Sequence, residues 1–166
     1  EFRRVLFRSV AAPVIWSRQV TKGQQVSAVV LNSGGANACT GPQGFADTHK
    51  TAELIAEKLN LSAGEVVVCS TGLIGELLPM EKIAKGISAI ELSSDGLENS
   101  AKAIMTTDSV PKMAVVDAEG AKFAGIAKGA GMLAPALATM LSVVMTDAEV
   151  DSAEATTAFA RAVELT

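Results

Sequence analysis

Apolar and polar positions follow two rhythms along this chain. Short apolar runs bounded by turn residues read as buried strands. Val26 to Leu31 (VSAVVL) is one, and it runs into the loop NSGGANACTGPQG. Glu65 to Cys69 (EVVVC) is a second, and it runs into STGLIGE. Between them Phe45, Ala52, Ile55 and Leu59 recur at helical spacing among acids and lysines, which predicts a helix from about Ala46 to Leu59. Pro79 opens another helix, with Met80, Ile83, Ala84, Ile87 and Ile90 on one face. Pro suits a first turn, where its missing N–H would have had no intrahelical partner. Leu97, Ala101 and Ile104 predict a further helix that stops at the polar Thr106 to Asp108.

Lys112 to Val116 and Lys122 to Ile126 flank Asp117-Ala118-Glu119-Gly120, the pattern of a β-hairpin. A Gly-rich loop, AKGAGMLAPALA, then leads into the run Met140 to Met145. Asp151 with Glu154 three positions on is a capping-box pattern. Ala155, Phe159, Ala162 and Val163 give a face to the final helix. Helices and strands interleave and a hairpin is present, so the sheet is not purely parallel. The expected class is α/β, with α+β possible, built as layers of helix on mixed sheet.

Composition narrows the functions open to such a fold. A length of 166 residues is a prior for one domain, and 49% apolar residues are ample for a core. Only 19% are charged, with net charge -4, so no basic face is offered to nucleic acid. Aromatic residues are 4%, too few for a base-stacking platform. Cys39 and Cys69 make no disulfide framework and have no metal-ligand spacing; both read as small buried hydrophobes. His49 is the single histidine, which excludes zinc sites built on several. The uncharged stretch between Lys128 and Asp147 reaches the lower limit of a membrane span, but Gly129, Gly131 and Pro135 break it. A loop feeding a buried strand fits it better, and no membrane partner is expected.

Residues 1–9 (EFRRVLFRS) differ in character from the rest of the chain and read as a non-native or truncated leader. Their apolar stretch is too short for a signal peptide. The C-terminus, at Thr166, falls in or just after a helical pattern, as in a piece of a longer protein.

Three loops rich in Gly, Ser and Thr can hold chemistry: 32–44, 70–75 and 128–139. The first could cradle a phosphate through its amides, but it matches neither phosphate-loop fingerprint, and a structural loop with close backbone approach fits it better. In the second, Thr71 and Gly72 follow a strand, where a hydroxyl and an amide can face a developing oxyanion. A tight strand-to-helix turn is the alternative. In the third, Lys128 precedes Thr139, and Thr139 follows the small Ala138 and leads an apolar run. A Thr at the head of a buried strand is the arrangement of enzymes whose nucleophile becomes an N-terminus. Its freed α-amino group, with a pKa of about 7.7–8.0, then serves as base and no His is needed. A strand-capping Thr is the alternative.

The segments NSGGANACTG (32–41), STGLIGELLPM (70–80), AIMTTD (103–108) and GIAKGAGMLAPALATMLSVVMTDA (125–148) resemble, in content and order, the bifunctional ornithine acetyltransferase / N-acetylglutamate synthase family of arginine biosynthesis. The resemblance implies a self-cleaving, N-terminal-nucleophile acyltransferase cut between Ala138 and Thr139. Residues 10–138 would be part of the α chain and 139–166 the start of a β chain. Thr139 is then the catalytic nucleophile, Thr71 and Gly72 the oxyanion hole, and Thr107, Lys128 and Thr139 the substrate contacts. The implied substrates are N-acetylornithine and glutamate, with acetyl-CoA as a further possible donor. No metal or bound cofactor is implied. The assembly would be a cytoplasmic heterotetramer of two α and two β chains, and residues 1–166 alone would be inactive. The competing readings are a self-cleaving aminopeptidase or amidohydrolase of related fold, and a binding module in which Thr139 is structural.

Overall fold

A computed structural model describes residues 10–23, 25–129 and 140–165. The expected leader (1–9), Ala138 and Thr139 lie outside the described residues.

The chain first forms helix α1 (Ala12–Val20), which the apolar pattern does not announce. Pro13 occupies its first turn. Its side chains act on a strand far away in sequence. The Trp16 indole N–H donates to the Val66 carbonyl at 2.9 Å. The Ser17 hydroxyl donates to the Val68 carbonyl at 2.8 Å and accepts from the Val68 N–H at 3.2 Å. Backbone groups left unpaired at a strand edge must find partners. Here a helix supplies them.

Strands β1 (Ala28–Gly35) and β2 (Val66–Leu73) pair in parallel, in register from Ala28 opposite Val66 to Gly34 opposite Gly72. Both continue past the apolar runs that predict them, through residues that read as loops. Strand pairing uses the backbone, so Asn32, Ser33, Gly34 and their partners Ser70, Thr71 and Gly72 pair without apolar side chains.

The crossover between them carries helix α2 (Gly41–Leu59), which begins before the expected Ala46. Its extra first turn escapes an apolar pattern because the residue it buries is Gly44, and the positions buried just beyond it, Asp47, Thr48 and Thr51, are polar. Asn60, at φ 55°, ends it in the left-handed conformation, its N–H bonding back to Ala56 and Glu57. A capping box absent from the expectations above, Ser62 with Glu65, turns the chain into β2. Helix α3 (Met80–Ala89) follows, and helix α4 (Leu97–Ala103) after it.

The pleat of the parallel pair sends alternate side chains to opposite faces. On one face Val66 and Val68 join Ala52, Ile55, Ala56 and Ile87 in a core, with Val30, Trp16 and Ile83 packed around it. On the other face Leu31 meets a second cluster, Ala101, Ile104 and Ile126, flanked by Leu97 and Val143. That second cluster ties the parallel pair, through α4, to a separate antiparallel sheet.

The antiparallel sheet has the order β3-β4-β5: β3 (Lys112–Ala118), β4 (Ala121–Ala127) and β5 (Ser142–Thr146). The expected hairpin is present. Glu119 (φ 52°) and Gly120 (φ 85°) form its two-residue turn, the positive-φ pair whose twist matches a hairpin. The expected mixture of parallel and antiparallel pairing is thus divided between two sheets.

Two expectations about burial change. The apolar run 140–145 predicts a buried strand, yet in β5 only Val143 is partly covered. The face of α5 (Ser152–Leu165) contains no buried residue, and Phe159 and Val163 are exposed. Apolar periodicity identifies the element, but burial requires a second layer over that face. At α5 the Asp151 carboxylate caps the helix, accepting the N–H groups of Ala153 (2.9 Å) and Glu154 (3.2 Å). Among the described residues no helix is long and apolar enough to cross a membrane.

Candidate functional site

The three Gly-, Ser- and Thr-rich loops behave differently. The first is bound by its own side chains. Asn37, fully buried at φ 48°, donates to the Gly44 carbonyl and the Thr48 hydroxyl, both at 2.8 Å, and accepts from Thr40 at 2.7 Å. Gly44 is required there, since a β-carbon would overlap the Asn37 and Thr40 side chains. Two backbone bonds, each of 2.8 Å, tie the loop to the end of β2 and the residues just after it: Ala36 N–H to the Leu73 carbonyl, and Gly75 N–H to the Ala38 carbonyl. This is the geometry of the structural alternative, with the polar groups turned inward to hold the loop. Cys39, expected buried, is exposed, and Cys69 is partly buried, with burial pushing its thiol pKa up. The difference follows from position: Cys39 lies in this surface loop at φ 59°, Cys69 in the middle of β2.

The second loop is the end of β2. Thr71 is fully buried. Gly72 has φ 129°, and a β-carbon on it would lie 2.5 Å from the Gly34 carbonyl oxygen and 2.7 Å from the Gly35 nitrogen. Gly34 itself has φ 104°, and the pairing register shifts at Gly35. Two glycine backbones therefore pass closer than any side chain permits, and that contact sets the direction of the chain beside Thr71.

The third element is Lys128, immediately after β4. Its N–H donates to the Leu141 carbonyl at 3.1 Å, which continues the β4–β5 ladder by one bond. Its ammonium reaches across to the parallel pair, donating to the Thr71 hydroxyl at 3.2 Å and to the Thr106 hydroxyl. Lys128 is only 4% exposed, and among the described residues it has no ion-pair partner. A buried cation held by two neutral hydroxyls is incompletely compensated. An ammonium cannot accept a hydrogen bond, so Thr71 and Thr106 present oxygen lone pairs to it and direct their own hydrogens elsewhere.

The loop after α4 completes the arrangement. The Ser33 hydroxyl donates to the Ala103 carbonyl at 2.7 Å and ties the end of α4 to β1. Past it, the Asp108 side chain is fully covered. It accepts from the Lys112 ammonium, from the Gly129 N–H and, at 3.3 Å, from the Thr106 N–H. The Lys112 ammonium and the two amides hold its carboxyl well below the usual carboxylate range.

Two of the loops therefore meet where the Lys128 ammonium reaches the Thr71 hydroxyl, with Gly72 next to Thr71 in β2. Thr107 is exposed, and the hydroxyl on Lys128 belongs to its neighbour Thr106. Thr139, two positions before Leu141, and Ala138 lie outside the described residues. Thr106 and Asp108 do not stand out by chemistry in the sequence. The signal available for both is the polar stop of TTD directly after a helical pattern. Among the described residues no three His, Cys, Asp or Glu side chains converge as a metal site would require.

Comparison with known proteins gives consistent results. The model of the ArgJ family matches residues 7–166. The arginine biosynthesis bifunctional protein ArgJ of Streptomyces avermitilis is 63% identical over 146 residues, which are 87% of this chain and 38% of that protein. The protein of the same name from Thermobifida fusca is 55% identical over 161 residues, 96% of this chain and 42% of that protein. This chain thus spans about two fifths of the length of the curated relatives it matches. Among solved structures, the ArgJ protein of Bacillus halodurans superposes with a TM-score of 0.71 at 33% identity, covering 82% of this chain and 74% of that one. The ornithine acetyltransferase of Mycobacterium tuberculosis, solved with ornithine, gives 0.65 at 46% identity, covering 79% and 73%.

Proposed function

The chain belongs to the ArgJ family, and on that premise we propose that the whole protein carrying it moves an acetyl group from N-acetylornithine to glutamate. The observation that carries the reading is the buried ammonium of Lys128 beside the Thr71 hydroxyl, without an ion-pair partner among the described residues. A site with that demand selects a substrate bearing a carboxylate, and both amino acids bear one. The Mycobacterium tuberculosis relative was solved with ornithine, an amino acid of that class.

The chemistry is a two-step exchange. The precursor cleaves itself between Ala138 and Thr139, and the two chains stay together, two of each, in a cytoplasmic enzyme. The Thr139 hydroxyl attacks the acetyl carbonyl of N-acetylornithine and passes its proton to its own α-amino group. The tetrahedral oxyanion is stabilised by Thr71 and the Gly72 amide, with the Lys128 charge close by. Collapse breaks the C–N bond, and ornithine leaves after its amine takes the proton. Glutamate's amine then attacks the acetyl-Thr ester and regenerates the hydroxyl.

Thr139→Ala in the whole protein tests this. It removes the nucleophile of both reactions, so the variant should stay a single chain and show no turnover. N-terminal sequencing of the wild-type β chain should read Thr-Met-Leu. An uncleaved protein with full transferase activity overturns the reading.

A further inference from the structure

We propose that Asp108 is a positioning residue for Lys128: its carboxylate joins the Thr106 amide to the Gly129 amide and so fixes where the Lys128 ammonium meets the Thr71 and Thr106 hydroxyls. The inference deepens the acetyl-transfer reading above and rests on it.

Lys128 directly follows β4, whereas Thr106 lies in the loop after α4. Lys128 must meet Thr106 and Thr71 at once, so these two segments need a fixed separation. Asp108 supplies a direct link. One carboxylate oxygen accepts the N–H of Gly129, the residue after Lys128. The other accepts the N–H of Thr106, the residue whose hydroxyl Lys128 uses. Lys112, at the start of β3, adds a charge-assisted bond to the first oxygen. The same carboxylate therefore grips the backbone on either side of the Lys128–Thr106 bond. Gly129 permits the approach, since a β-carbon there would lie 2.8 Å from the carboxylate.

A carboxylate fits this position better than its neutral analogue. All three partners are donors, and an ionised Asp is acceptor-only. An amide in its place turns an NH₂ group toward one of them. Asn matches the shape of Asp, so Asp108→Asn removes one grip without opening a cavity. Lys128 then loses its fixed placement against Thr71, a displacement that costs roughly 10- to 100-fold when the displaced group serves a transition state.

The test is a double-mutant cycle on the whole protein, read as kcat/KM for acetyl transfer from N-acetylornithine. Asp108→Asn alone should lower kcat/KM by about 10- to 100-fold. In a Lys128→Ala background the same substitution should change it by less than about threefold, because the residue it positions is gone. A merely structural Asp108 gives the opposite pattern: equal losses in both backgrounds, tracking a fall in Tm. Asp108→Ser, which keeps an acceptor at shorter reach, takes the place of Asn in the same cycle if the Asn protein does not accumulate. Wild-type protein inactive on N-acetylornithine overturns the functional reading and this inference with it. Active wild type with additive losses, or with Asp108→Asn at wild-type kcat/KM, overturns this inference alone.

Discussion

Val66 and Val115 are the same side chain on two strands with opposite surroundings. Val66, in β2, is fully buried, whereas Val115, in β3, is 57% exposed. The parallel pair packs against α2 and α3 on one side and the Ala101–Ile104–Ile126 cluster on the other, although Val29 in β1 stays 43% exposed. Along β3 every residue is exposed. The two regions divide the candidate site between them. Thr71 and Gly72 belong to the covered pair, where packing fixes the backbone. Lys128 extends from the open sheet and is held by hydrogen bonds to Leu141, Thr71 and Thr106. One half of the site is positioned by packing and the other by polar contacts, and substitutions should tell the halves apart.

The largest contrast is expected between two glycines at positive φ. Gly72→Ala forces a β-carbon into the Gly34 backbone, and backbone strain adds to overpacking, for a loss of about 3 kcal/mol or more. Gly120→Ala in the hairpin turn meets nothing within 4 Å and should cost only the left-handed backbone strain, about 1–2 kcal/mol. Chemical denaturation of the two variants checks this. Equal losses would mean that the close approach of β1 and β2 is not what demands Gly72.

Next comes the valine pair itself. Val66→Ala should cost about 2–3 kcal/mol, from lost apolar burial plus the cavity left behind. Val115→Ala should stay within about 0.5 kcal/mol, as exposed substitutions do. A large loss at Val115 in the whole protein would show that another layer covers β3 there.

The smallest effect is a pH dependence at the joint between the regions. Asp108 has a carboxyl pKa lowered in the folded chain, mainly by Lys112 and also by the Gly129 and Thr106 amides. The unfolded chain, with an ordinary Asp value of about 3.9, therefore takes up the proton first as pH falls. The stabilisation is complete above that value and is lost as pH falls below it. Denaturation midpoints between neutral pH and about pH 2 should fall less steeply for Asp108→Asn than for wild type across this acid window. Parallel profiles would mean that the carboxylate contributes no folded-state preference.

Much of this architecture is legible in the residues. VSAVVL and EVVVC announce β1 and β2, and the hairpin shows in the turn between KMAVV and KFAGI. Thr71, Gly72 and Lys128 stand out in two separate loops of the sequence, and in the fold the Lys128 ammonium reaches the Thr71 hydroxyl. Helix α1 is not legible, because its decisive contacts are two side-chain bonds to the distant β2 edge. The first turns of α2 escape the pattern because their buried face is polar and is satisfied by Asn37, seven and eleven positions away from Gly44 and Thr48. Thr106 and Thr107 are adjacent, identical in type and both exposed, and only the loop's path sets the Thr106 hydroxyl on Lys128.

The sequence by itself determined the elements, the hairpin turn and the residues with reactive or charged groups at strand ends. Side-chain direction repeats with the local backbone period, so those features are written within a few neighbouring positions. Tertiary structure decided which of those groups meet. Lys128 and Thr71 are 57 residues apart and belong to different sheets. Their contact depends on how α4 seats one sheet against the other and on the Asp108 carboxylate at that junction. Tertiary structure also decided burial, since an apolar stripe is covered only where a second layer packs on it: Val66 has that layer, and Val115 does not.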